Sequence, residues 1–186
     1  MNQRNRLGKK GWKKKASSIR LLLLDVDGVL TDGRVVYDGT GQEWKFFDIR
    51  DGQGIKLLQQ SGVEVGLISG RGSPAVHLRA KELGISLVRQ KVVDKALALE
   101  EIQQRRNLEV DEIGFVGDDL ADLPILSRVG FAVAVSDAVP EVKAHAHYIT
   151  RHPGGGGAVR EVCEQILKTQ GKWETTVQKF IGRQLG

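Results

Sequence analysis

Short runs rich in Leu, Ile and Val alternate with helical periods along this chain, and that alternation constrains the fold more than any other feature. Residues 19–26, 63–68, 85–88, 113–116 and 131–135 read as buried strands. Helices with recognisable start signals lie between them. Residues 54–60 carry Ile55, Leu57 and Leu58 at helical spacing. Ser73-Pro74 offers an N-cap followed by Pro at the first helical position, leading to Leu83 and a stop at Gly84. Asp94 caps a helix through Arg106, Asp119 opens one through Arg128, Pro140 starts another, and residues 158–167 continue the pattern. Strands and helices in this order predict an α/β fold with a parallel, doubly wound, Rossmann-like sheet.

One segment breaks the alternation. Residues 35–37 and 44–47 are strand-like and flank Asp38-Gly39-Thr40-Gly41, the signature of a β-hairpin with a Gly-rich turn. The hairpin follows the first strand directly, over the edge of the sheet where ligands gather.

A pI of about 9.4 invites a nucleic-acid partner, but the charge is unevenly spread. Residues 1–20 hold eight of the 28 Lys and Arg and none of the 23 acids, and residues 168–186 hold four basic residues and one acid. The body between them therefore has sixteen basic against twenty-two acidic residues. Residues 1–18 are accordingly expected to be a basic, disordered arm that catalysis does not need, and nucleic acid is not the expected partner. Residues 19–168 form one domain. Residues 169–186 are an extension in which Trp173, Val177, Phe180 and Ile181 have the spacing of an amphipathic helix at a subunit contact. The single cysteine, Cys163, fits a buried thiol in a reducing compartment, and no apolar run reaches the ~18 residues of a membrane span. The cytoplasm is the expected location. His77, His145, His147 and His152 lack metal-ligand pairing with Cys or Glu and read as surface or core residues.

Polar residues gather where the strands end. The first strand gives Asp25-Val26-Asp27-Gly28, the second Ser69-Gly70-Arg71, and the fourth Gly117-Asp118-Asp119 with Asp122, while Lys95 starts a helix between the last two. Phosphoryl transfer needs an in-line nucleophile and positive charge around the phosphate oxygens. A carboxylate can be that nucleophile. Asp25, Asp118 and the main-chain carbonyl of Asp27 are hard oxygen ligands suited to Mg. Asp27, two residues beyond Asp25 on the same side of an extended chain, can move the proton, and Ser69 and Lys95 suit a transferred phosphoryl group. A calcium EF-hand fails on the same residues, because Val29, Leu30 and Val36 stand where an acid, Gly and Glu are needed.

DVDGV, ISGR, DK and GDDLAD in this order resemble the haloacid dehalogenase superfamily. LTDGRVVYDGTGQEWKFFDIRDGQGIKLLQQSGVEVGLISGR, RAKELGI and HPGGGGAVREVCEQIL narrow the likeness, over about residues 19–168, to its phosphatases for 8-phosphates of eight-carbon sugar acids. The resemblance implies a capless enzyme and a homo-oligomer, a tetramer, in which a neighbour completes the active site. It implies Asp25 as nucleophile, Asp27 as acid and base, and Asp25, Asp27 and Asp118 as the Mg site, with Asp119 and Asp122 in support. It further implies sugar-acid phosphate contacts from Asp27, Asp48, Arg50, Asp51, Gly52, Lys56, Arg71, Arg79 and Lys95. A phosphatase for nine-carbon sugar acid 9-phosphates and an inactive oligomerisation module remain as alternatives. Residues 154–157, four glycines, fit the family's tail or a loose linker.

Overall fold

A computed structural model describes residues 11–182. Leu21–Leu24 (β1) is apolar at every position and fully buried, as a strand covered on both faces must be. It pairs in parallel with Glu64–Ile68 (β4) on one side and Ile113–Gly117 (β6) on the other. Leu87–Arg89 (β5) extends the sheet beyond β4, and Phe131–Ala134 (β7) and Tyr148–Ile149 (β8) extend it beyond β6. The order β5-β4-β1-β6-β7-β8, parallel throughout, confirms the doubly wound sheet. Chain direction across the sheet reverses between β1 and β6, which opens a crevice at their C-terminal ends.

Helices cover both faces. Gly11–Ser17 (α1), Ile49–Gln60 (α2) and Ala158–Thr169 (α7) pack together on one face. Pro74–Glu82 (α3) meets α2 through Arg79 and Leu83 at Gly52. Lys95–Arg106 (α4), Leu123–Leu126 (α5) and Pro140–His145 (α6) form a second group. The hairpin forms as Val36–Tyr37 (β2) and Glu43–Trp44 (β3), an antiparallel pair outside the main sheet.

Three expectations need correction. The helix read as starting at residue 54 begins at Ile49, capped by Asp48, whose carboxylate accepts the Arg50 N–H at 2.6 Å. Gly52 and Gly54 look like breakers, yet each is a packing device. A Cβ at Gly54 would meet the Arg160 Cα at 3.0 Å, and one at Gly52 would run into the Arg79 guanidinium. Second, residues 154–157 are not a loose linker. The Gly155 N–H donates to the Val29 carbonyl at 2.9 Å, Gly154 donates to Asp137 at 2.9 Å, and no side chain would fit between Gly154 and the Gly28 carbonyl.

The third concerns the basic arm. Residues 1–10 lie outside the described residues, but 11–17 are helical rather than disordered. Ala16 is fully buried, and the Trp12 ring stacks at 6.2 Å on Phe131 and lies 4.6 Å from Tyr148. Trp12, Ala16 and Ile19 are spaced as one helical stripe, which the surrounding lysines obscure. Trp12→Ala is therefore expected to cost about 2–3 kcal/mol, less than a fully buried Trp because the ring is half-buried. That corresponds to a melting midpoint lower by roughly 5–10 °C. An unchanged midpoint by calorimetry would show that α1 contributes nothing.

The extension after residue 168 continues α7 and then forms Trp173–Gly182 (α8). Trp173 lies beneath Lys168, whose Nζ is 4.9 Å from the ring centroid, while Phe180 and Ile181 stay exposed. Cys163 is buried and unpaired, and burial pushes its thiol far above the usual range. His152 does have an acidic partner: its Nδ1 lies 2.7 Å from the buried Glu161, which also accepts the Tyr148 hydroxyl at 2.6 Å.

Candidate active site

The register of β1 against β6 aligns Leu24 with Val116, so the residues that follow each strand emerge side by side. The Asp25 N–H continues the ladder by donating to the Val116 carbonyl at 3.0 Å. Asp25 and Asp118 thus meet at the switch point. Gly28, at φ +92°, leaves room for this: a Cβ there would collide with the Asp118 carboxylate.

Lys95 is the first residue of α4, whose N-terminus is held by the Asp94 carboxylate accepting from the N–H groups of Ala96 and Leu97. Its buried ammonium donates to Asp25 Oδ1 at 2.8 Å and to Asp122 Oδ1 at 2.5 Å. Asp122 spends its other oxygen on the Asp118 N–H at 2.9 Å and the Asp119 N–H at 3.4 Å. It therefore shapes the loop and orients Lys95. Asp119 is exposed and caps the turn after β6 through the Leu120 N–H.

Three carboxylates surround one ammonium here. Burial, then the charge of Asp122, pushes Asp25 up to about 6 against the pull of Lys95. Burial and the charges of Asp122, Asp25 and Asp119 push Asp118 up to about 8. Lys95, despite burial, is held above its ordinary range by Asp25 and Asp122. Asp118 Oδ1 is buried with no hydrogen-bond partner, and Asp25, Asp118 and Asp122 each present an oxygen within 4.8 Å of the others. An excess of buried negative charge with an orphaned oxygen fits a hard divalent cation. Among the described residues no other group of His, Cys, Asp and Glu is so arranged.

Asp27 faces the same cleft. Its Oδ2 accepts from Ser69 Oγ at 3.4 Å, and Ser69 Oγ in turn accepts the Arg71 N–H at 3.1 Å. Asp25, Asp27, Ser69, Arg71, Lys95 and Asp118 line one open cleft of about 880 Å³. Carboxylates, a hydroxyl and cations converge there, the residue types that phosphoryl transfer through a carboxylate would require.

The remaining expected substrate contacts do not line that cleft. Asp48 caps α2 and pairs with Arg50 at 2.9 Å. Arg79 donates to the Asp48 carbonyl at 3.2 Å and to Glu82 at 2.9 Å, over the Phe47 ring. Lys56 is exposed on α2. Asp51 is 1% exposed, and its carboxyl, pushed up to about 6 by burial, accepts the Arg160 N–H at 2.7 Å. It ties α2 to the start of α7. Gly52 is likewise buried, serving the close approach of Arg79.

Two residues of the site escaped the sequence reading. Lys45 Nζ reaches back from the hairpin to Asp27 Oδ1 and lies 3.1 Å from Glu43 Oε1, which Arg71 also contacts at 3.0 Å. The signal was present as alternation: Glu43 and Lys45 fall on one face of the strand, Trp44 and Phe46 on the other.

A family model described as haloacid dehalogenase-like hydrolase matches residues 85–162. The chain is 44% identical over 160 residues to the 3-deoxy-D-manno-octulosonate 8-phosphate phosphatase of Yersinia pestis, covering 86% of each. A crystal structure of the phosphatase of that name from Moraxella catarrhalis, in complex with magnesium, phosphate and KDO, superposes with a TM-score of 0.91 at 41% identity. The match covers 92% of this chain and 99% of that one. The cobalt-bound form of the Haemophilus influenzae enzyme gives a TM-score of 0.86 at 37% identity, covering 90% and 99%. With the fold, the paired strand-end aspartates and this degree of identity in agreement, the chain belongs to the haloacid dehalogenase-like hydrolases, in their 3-deoxy-D-manno-octulosonate 8-phosphate phosphatase family.

Proposed function

We propose that this chain hydrolyses 3-deoxy-D-manno-octulosonate 8-phosphate to the free sugar acid and phosphate. The observation that carries the proposal is the cluster of Asp25, Asp118 and Lys95 at the switch point, with one Asp118 oxygen buried and unpaired. Asp25 attacks phosphorus in line, forming an aspartyl-phosphate as the bond to the leaving oxygen breaks. Lys95 orients Asp25 and, with Ser69, offsets charge on the phosphoryl oxygens. Asp27 protonates the leaving oxygen and then takes a proton from the water that hydrolyses the acyl phosphate. Asp25, Asp118 and the Asp27 main-chain carbonyl would hold Mg, which when bound neutralises repulsion between carboxylate and phosphate. Arg71, at the mouth of the cleft, is suited to the sugar carboxylate.

An assay of eight- and nine-carbon sugar acid phosphates with Mg tests this. The expected result is fastest turnover of the eight-carbon 8-phosphate. Preference for a nine-carbon 9-phosphate would reassign the substrate, and turnover of none would leave an inactive assembly module. The cytoplasm suits the enzyme, whose one cysteine is buried and unpaired. Among the described residues no helix is long and apolar enough to cross a membrane.

The proposed working form is a homotetramer joined partly through the hairpin. Val36, Trp44 and Phe46 are 38%, 52% and 63% exposed on its outer side, more apolar surface than a lone ribbon leaves open to water. The patch of Asp48, Arg50, Lys56 and Arg79, away from this chain's own cleft, is available to face a neighbour's. Phe46→Glu should dissociate the assembly on light scattering and lower kcat/KM at least about tenfold, the effect of ~1.4 kcal/mol of lost transition-state stabilisation. Monomeric protein with unchanged kinetics would remove the neighbour from the mechanism.

A further inference from the structure

Lys45 and Glu43 sit on the inner face of the hairpin, and neither belongs to the strand-end motifs that define the site. The Lys45 side chain is 1% exposed although the ribbon around it lies open to solvent. Its ammonium bridges Asp27 Oδ1 and Glu43 Oε1, and Glu43 Oε1 also takes Arg71 Nη2 at 3.0 Å. A chain of alternating charges, Asp27–Lys45–Glu43–Arg71, therefore links the proton-transfer carboxylate to the cation at the cleft mouth. A buried ammonium is worth holding only where its partners are fixed. Here the fixed partner is Asp27, whose Oδ1 is committed to the hairpin while Oδ2 is left beside Ser69.

We propose that Lys45 is the positioning residue for Asp27: it clamps Oδ1 so that Oδ2 carries the proton to and from the reaction. This rests on the phosphatase reading above. In the first step an Asp25 oxygen bonds to phosphorus and the bond from phosphorus to the leaving oxygen breaks. Its electron pair stays on the leaving oxygen, which takes the proton from Asp27 Oδ2. Lys45 keeps its hydrogen bond to Oδ1 whichever state Oδ2 is in. A carboxylate free to rotate would present its proton in the wrong direction for much of the time, and small misplacements of this kind cost rate heavily.

The test compares two leaving groups. A sugar alcohol is a poor leaving group and needs the proton, whereas 4-nitrophenolate leaves without one. Lys45→Met should lower kcat/KM for the eight-carbon sugar acid phosphate about 10–100-fold, below the ~10²–10⁴-fold of a whole general acid because Asp27 remains. For 4-nitrophenyl phosphate the loss in kcat/KM should be far smaller, because that ratio ends at departure of the leaving group and 4-nitrophenolate needs no proton, whereas kcat still includes the shared hydrolysis of the aspartyl-phosphate. Lys45→Arg, which can still donate to Oδ1, should recover most of the sugar-phosphate rate. Lys45→Gln serves as a second neutral variant should Lys45→Met not fold, and melting midpoints establish which proteins are intact. Equal losses in kcat/KM on both substrates, an effect confined to KM for the carboxylated substrate, or no effect in a folded variant would each overturn the assignment. Wild type that hydrolyses neither ester would instead defeat the phosphatase reading, a result distinct from all three.

Discussion

Asp25→Asn is expected to lower kcat by about 10⁴-fold or more, the scale seen when a nucleophile is removed from a group that acts as a unit. An amide oxygen is too weak a nucleophile to form the acyl phosphate, and no neighbour can substitute. Asp118 points into the same cluster, but Asp122 is held by Lys95 and two backbone N–H groups. The fold should survive. Asn is isosteric, its carbonyl oxygen can still accept from Lys95, and one negative charge leaves a site where burial and like charge already raise Asp25 and Asp118. The metal-free variant should therefore melt at or above the wild-type midpoint. Turnover above about 1% of wild type in pure Asp25→Asn protein would contradict the nucleophile assignment.

Lys95→Met is expected to have the largest effect on stability. Among the described residues its ammonium is the one cation paired with Asp25 and Asp122, both nearly buried. Removing one partner of a buried charge pair leaves the other uncompensated, at about 3–5 kcal/mol. The loss should depend on pH with a definite sign. Asp25 and Asp118 have folded pKa values of about 6 and about 8, above the ordinary 3.8. The native state therefore binds protons more tightly than the unfolded chain, and metal-free stability falls as pH rises from about 4 through 8. Without Lys95 that fall should steepen. Added Mg should raise the midpoint by mass action on the native state, in wild type and variant alike. Chemical denaturation across pH, with and without Mg, reads all of this. A variant as stable as wild type at pH 8 without metal would mean Lys95 is not the counter-charge.

Much of the site was legible because it follows from strand ends. Four consecutive buried leucines running into Asp25, and a Gly117-Asp118 pair after another apolar run, specify where a parallel sheet presents its ligands. Asp94 and Pro74 marked helix starts by local chemistry that acts within a few residues. What stayed hidden depended on tertiary partners. The stripe of Trp12, Ala16 and Ile19 is short and surrounded by lysine, and only β7 and β8 show what it covers. The tie between Asp51 and the Arg160 N–H stayed hidden because nothing local reveals that α7 would bring its N-terminus over Asp51. The reach of Lys45 to Asp27 needs the hairpin to fold back over the strand end, which two short strands and a turn do not dictate. β8, two residues long, is too brief to register as a periodic pattern.

The seating of Gly154 against the Gly28 carbonyl makes the loop after β1 depend on a part of the chain synthesised much later. The residues proposed to meet the reacting phosphate, Asp25, Asp27, Ser69, Lys95 and Asp118, all lie before residue 123, so the ribosome makes the whole proposed catalytic set ahead of this turn and of α7. The turn that buttresses the nucleophile loop, with Gly155 bonded to Val29, arrives only afterwards, immediately ahead of α7. Gln170 then fastens the end of α7 to the Ile19 carbonyl at 2.8 Å, beside the start of β1. Contacts spanning so much sequence form late, after the local elements have condensed. Nascent chains stalled short of α7 are expected to carry the carboxylates without the turn and helix that pack against them.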